Sequence, residues 1–359
     1  MAFLKILHNG ILANISKNSN NQNESMNAPS GHQALYLKSI QQHIAPVNLA
    51  DELAKLLSMS RSAAYRRISG ESLLNFDEMA ILLQHYPSSL ETQLNPNTTR
   101  FNAPFLYQSP KTMTAYLDSI ERDLSVLANS EAAKIQYVAH EIPFFQYLFE
   151  PDLAAFKMYM WSRTVWRVPS MRFESFDLDT YRRDAPLQRQ IRRLSEMYAS
   201  IPSEEIWNSN MLDITLNQIR YCCKANRFKT KQEAVQLFKI LRGLIQRLKA
   251  NAEVGEKMVG KTGKHADKLK VWYNELLPTG AFILATINEH TALYLTFESP
   301  NFLQNYDATM CTGSVNIFEN YRTASLDLNG ENEVNRTLFF ERMTKKVDIS
   351  ADELEAFLV

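Results

Sequence analysis

The sequence predicts a mainly α chain, α+β overall, with a four-helix N-terminal module, a helical middle region and a small antiparallel β meander near the C-terminus. Three observations carry that expectation. Residues 32–94 break into four short amphipathic segments with capping residues at their starts. Residues 180–250 read as helical, with a long segment whose apolar positions follow a 3-4 spacing. Residues 271–297 change character and run "VWYNEL", "AFILATI" and "TALYLTF" between the short turns "PTG" and "NEH".

Composition bounds what such a chain can be. Its 359 residues are 45% hydrophobic and 22% charged, which excludes a disordered or collagen-like bulk. Lys+Arg and Asp+Glu both number 39. Net charge is therefore zero, which excludes a protein basic over its whole surface but leaves room for a local basic face. Three cysteines, two of them adjacent (Cys222 and Cys223), supply neither a disulfide framework nor a four-ligand zinc site. The chain is expected to be reduced and cytoplasmic. A membrane span needs roughly 20 mostly apolar residues, and the longest clean run is Ala281–Ile287.

Residues 1–30 are expected to form a disordered tail. Asn and Ser dominate between Asn14 and Ala28, and such a stretch buries too little apolar area to offset its ordering entropy. Phe3–Ile15 is mildly apolar but broken by His8, Asn9 and Gly10, so no signal peptide is expected. A translation start at Met26, just ahead of the first helix, is expected instead. His32–Ile44 carries Leu35, Leu37, Ile40 and Ile44 as a helical face, and Pro46 stops it. Asn48 is the N-cap expected for Leu49–Leu57, whose leucines 49, 53, 56 and 57 share one side. Ser58-Met59 leads to a second cap, Ser60, which opens Arg61–Ile68, and Gly70 suits the left-handed position that ends it. Asn75 with Glu78 resembles a capping box for Phe76–Tyr86, closed by Pro87.

A helix of about nine residues, a tight turn and a short Arg/Ser/Tyr-bearing helix form the geometry that lays one helix across a phosphate backbone and the next in a major groove. Ala54 is small where the two helices approach, and Ala64 with Ile68 faces the core. The same periodicity turns Arg61, Ser62, Tyr65 and Arg66 outward. Arg can pair bidentately with guanine, and the hydroxyls can reach phosphates or base edges. The stretch "LADELAKLLSMSRSAAYRRISGESLLNFDEMAILLQHY" resembles the lambda-repressor/Xre-type helix-turn-helix domain of bacterial transcriptional regulators. That resemblance implies a DNA-binding domain over 31–94. It implies a groove-facing set of Ser60, Arg61, Ser62, Tyr65 and Arg66, with Asn48 touching phosphate. Residues 32–94 hold five Lys/Arg against six Asp/Glu, yet Leu53–Gly70 holds four bases and no acid. A single recognition helix reads only a few base pairs, so a homodimer on double-stranded DNA is expected.

Asn95–Pro110, rich in Pro, Asn and Thr, is the expected linker, and 111–359 an α+β sensor or dimerisation domain. Thr112–Leu127 reads as a helix and Ile135–His140 as a short strand. The aromatic block from Phe144 to Trp166 is expected to be core rather than a stacking surface, because interleaved Lys/Arg are sparse. Over 180–250 there are 14 Lys/Arg against 6 Asp/Glu, with Arg182, Arg183, Arg189, Arg192 and Arg193 expected as a solvated face. Thr230 and Glu233 form a capping box for a long helix, whose seam at Ala234, Leu237, Leu241, Leu244, Ile245 and Leu248 leaves a dimer coil or an intramolecular bundle open. The acidic 281–359, with helices expected at Val334–Lys346 and Ala351–Leu358, should dock on the basic middle, in one chain or across a dimer.

No catalytic constellation is visible. The seven His are scattered without an HxxxH or HExxH pair, and Gly260–His265 has the letters of a phosphate loop without its spacing. Asn274-Glu275 reads as a polar pair on a strand face, and Cys222-Cys223 as buried thiols. The expectation is therefore a non-enzymatic, membrane-free regulator without cofactor or metal, open to an unknown small-molecule effector. A protein-interaction adaptor and a small-molecule receptor without catalysis are the alternatives.

Overall fold

A computed structural model describes residues 30–44, 48–86, 110–257, 268–277 and 280–358. The chain divides into two units between Asn102 and Ala103. The tail with Phe3–Ile15 and Met26, the two stop residues Pro46 and Pro87, nearly all of the 95–110 linker and the Gly260–His265 loop lie outside the described residues.

In the first unit, α1 (Ser30–Ile44), α2 (Leu49–Leu56), α3 (Arg61–Ile68) and α4 (Phe76–His85) are too short to persist in water alone, so packing must hold them. Their core is Tyr36, Leu37 and Ile40 from α1, Leu49, Ala50 and Leu53 from α2, Ala64 from α3 and Leu82 from α4. Each fully buried Leu or Ile there contributes about 1.5–3 kcal/mol. Asn75 and Glu78 make the reciprocal capping box that opens α4.

The second unit is built on a seven-stranded sheet in the order β6-β5-β4-β1-β2-β3-β7. The strands are β1 (Ala133–Val138), β2 (Ser203–Trp207), β3 (Leu269–Tyr273), β4 (Phe282–Ile287), β5 (His290–Glu298), β6 (Asn301–Asn305) and β7 (Leu326–Asp327). β1, β2 and β3 run parallel; the flanking strands pair antiparallel. The meander read over 271–297 is corrected in its membership: β4, β5 and β6 are the consecutive antiparallel strands. The hairpin β4–β5 is present, but β3 lies two strands away from β4, because β1 and β2 intervene. Asn274-Glu275 likewise falls just past the carboxyl end of β3, not on its face.

Helices fill the parallel crossovers. α5 (Met113–Ala128) precedes β1, and α6 (Phe144–Tyr147), α7 (Pro151–Thr164), α8 (Leu178–Arg183) and α9 (Ala185–Ser200) lead to β2. α10 (Asp213–Lys224) and α11 (Lys231–Val254) lead to β3, and α12 (Ala308–Thr323) and α13 (Glu333–Leu358) close the chain. The sheet alternates as its period of two requires. Val138, Ile206, Trp272, Phe282, Leu284 and Leu293 face one side, where Cys311 and Phe318 of α12 cover them. Ile135, Tyr137, Ile283, Ala285 and Tyr294 face the other.

The α11 seam is buried within the chain itself, and α11 packs along α13. Ion pairs Arg220–Glu353 at 2.7 Å and Arg242–Asp348 at 3.2 Å join the basic middle to the acidic tail within the one chain. The two expected terminal helices are one, because no Gly or Pro interrupts 333–358. The basic 182–193 stretch is partly paired, with Arg182 bidentate on Asp152 and Arg193 on Glu121 at 2.5 Å.

β2 was hidden in sequence because Glu204-Glu205 reads as a polar surface. Glu205 is fully buried and both its oxygens accept hydrogen bonds. Donors are Gln146 Nε2 at 3.1 Å, Ser203 Oγ at 3.1 Å, Trp207 Nε1 at 2.9 Å and the Tyr198 hydroxyl. Replacing Glu205 with Ala strands these donors around a void and should cost about 3 kcal/mol or more of stability. All four tryptophans (161, 166, 207 and 272) belong to the second unit, so the urea transition followed by tryptophan fluorescence reads it directly. A loss below about 1 kcal/mol would remove Glu205 from this role.

Candidate nucleic-acid interface

The turn between α2 and α3 is made by backbone hydrogen bonds and one left-handed residue. Leu57 N–H donates to Leu53 O at 2.9 Å and Met59 N–H to Ala54 O at 3.1 Å, while Ser58 takes φ +52°. This is the helix-ending bond pattern usually served by Gly, here adopted by Ser. Ser60 Oγ then accepts from Ala63 N–H at 3.2 Å and starts α3.

α3 is anchored along one side and at its far end. Ala64 is fully buried against the core. Gln33 of α1 donates to Arg67 O at 2.7 Å and Ser72 O at 2.9 Å, and accepts from Leu74 N–H at 2.8 Å. Gly70, at φ +79°, lets the chain reverse there. Arg67 turns inward and forks onto Glu78, Nε to Oε2 at 3.1 Å and Nη2 to Oε1 at 3.1 Å. That fork, with help from the cap at Asn75 and against the cost of desolvation, holds the Glu78 carboxyl below the usual carboxylate range.

The six sequence-derived residues are all exposed, but they are not equivalent. Arg66 has no acidic partner among the described residues, and Ser62 and Tyr65 stand open beside it. Arg61 Nε lies 3.0 Å from Asp51, with its guanidinium 5.9 Å from the Tyr65 ring centroid. Both members of that ion pair are more than half exposed (59% and 53%). Such a pair is worth about 0–1 kcal/mol, so a phosphate can displace Asp51. Ser60 and Asn48 spend their side-chain oxygens on helix starts, Asn48 accepting from Ala50 N–H at 2.9 Å. Asp51 and Glu52 in the first turn of α2 also set negative charge beside Asn48, which opposes a phosphate contact there.

Sequence reasoning missed Gln33, whose three partners lie 34 to 41 residues away; no local pattern signals it. Lys55, exposed on α2, adds a base that the motif did not assign. Comparison with family models, curated proteins and solved structures finds no match for the chain.

Glu78→Gln should loosen the α3–α4 connection by about 1–2 kcal/mol at neutral pH. Because the folded state lowers the Glu78 pKa, its contribution is complete above the ordinary value of 4.5 and disappears as pH falls through the folded value. Hydrogen exchange of the α3 and α4 amides should therefore separate wild type from variant at pH 7, with the gap narrowing as pH falls below 4.5. A gap that persists in acid would exclude the ion pair as its source.

Proposed function

We propose that the chain is a bacterial transcriptional regulator of the lambda-repressor/Xre type that binds double-stranded DNA through α3 as a homodimer. The observation that carries this reading is the division of labour on α3. One side is fixed by Ala64, Gln33 and Arg67, while Arg61, Ser62, Tyr65 and Arg66 stand outward and exposed. A rigid helix with an open cationic and hydroxyl-bearing side fits the spacing of groove edges and flanking phosphates. The four bases of Leu53–Gly70 reduce, on this reading, to three available to phosphate or bases: Lys55, Arg61 and Arg66. Affinity should then be modest per subunit, and two half-sites about 34 Å apart supply the remainder. The larger unit would dimerise or sense a signal, without catalysis, and the protein would act in the cytoplasm.

Selection of genomic fragments with purified protein should enrich a sequence with two related halves. On that sequence, Arg61→Ala combined with Arg66→Ala should abolish specific gel-shift binding and leave the melting curve unchanged, since both side chains are exposed. Wild-type affinity should also fall steeply with added salt. A double variant that binds as tightly as wild type refutes the assignment.

A further inference from the structure

The second unit carries a cleft of about 460 Å³ between α5 and the face of the sheet formed by β1, β4 and β5, well inside the size range of small-molecule sites. Its walls are aromatic: Tyr116 from α5, Tyr137 from β1, Phe144 and Phe145 from α6 and Tyr294 from β5. The aromatic block read from sequence as core is therefore split. Phe156, Tyr159, Trp161 and Trp166 are buried, whereas Phe144 and Phe145 line an open space.

Asp123 of α5 also lines this cleft. No hydrogen bond or ion pair meets its carboxyl among the described residues; Arg122, its chain neighbour, also lines the cleft, and its charge partly offsets the effect of burial on Asp123. Burial pushes its pKa up to about 6, and its charge, after burial itself, helps raise the Tyr294 phenol. A half-buried acid that no described residue pairs with is costly where it stands. π-faces and a carboxylate that no hydrogen bond or ion pair engages among the described residues form an arrangement that receives organic cations.

We infer that this cleft binds a small aromatic amine, its protonated nitrogen on Asp123 and its ring between the cleft's aromatic side chains. This inference does not rest on the DNA-binding proposal, because the cleft lies wholly within the second unit and is tested without DNA.

Isothermal titration of the full chain with tryptamine, with the neutral tryptophol and with the anionic indole-3-acetate tests it. The amine should bind tightest and the acid weakest. Asp123→Asn should weaken tryptamine by about tenfold to a hundredfold, the span of a charged hydrogen bond, and leave tryptophol unchanged. The same variant should raise the melting temperature of the ligand-free protein by about 2–4 °C, since a half-buried charge is removed. Ala285→Phe, which fills the floor of the cleft, should abolish binding of all three. Absence of saturable binding, a tighter acid than amine, or tryptamine affinity indifferent to both substitutions overturns the proposal.

Discussion

Burial of the Glu205 carboxyl on the middle parallel strand is the constraint around which the larger unit is arranged. A carboxyl group sealed from water is tolerable only when its oxygens are met by donors. Those donors come from α6, α9 and β2 itself, so the acid fixes where two helices and a strand sit relative to each other. Arg247 of α11 extends the arrangement, donating to Gln146 O at 2.9 Å and lying 4.6 Å from the Phe149 ring. Lys257 borders it, with its ammonium 3.8 Å from the Tyr198 ring centroid and 2.9 Å from Tyr198 O at the end of α9. Burial pushes that lysine down to about 7. With β2 held between β1 and β3, the register of the parallel core follows.

The smaller unit solves a different problem with fewer residues. Among the described residues its core is eight buried side chains with further half-buried apolar ones packed around them, and polar contacts reinforce it at the helix ends. Gln33 and the Arg67–Glu78 fork supply those contacts, and both act on the same end of α3. The consequence is geometric: a helix fastened from behind and at its far end holds its outward side chains on a fixed frame. Arg66 and Arg67, adjacent in sequence, consequently have opposite fates, one open and one locked.

Much of the first unit was legible in the sequence because its determinants are local. Caps at Asn48, Ser60 and Asn75, the left-handed Gly70 and the outward turn of Arg61, Ser62, Tyr65 and Arg66 all follow from spacing within a helical turn or two. The second unit was legible only in pieces. β4 and β5 showed themselves by apolar runs, and α11 by its capping box and seam. β2 did not, since its glutamates look solvent-facing until Tyr198 and Gln146 are brought to them from other helices. The cleft was equally silent, because Asp123 and Tyr294 are distant in the chain and ordinary in isolation.

By itself the amino-acid order determined the starts of α2, α3 and α4, the outward and inward sides of α3 and the α+β character of the whole, because these depend on dihedral preference and apolar period within a few residues. Tertiary structure alone decided that β3 joins β2 rather than β4, that the α11 seam is buried within its own chain, and that Arg67 forks onto Glu78. Those outcomes turn on long-range pairing of polar groups, whose energies exist only once the partners have met.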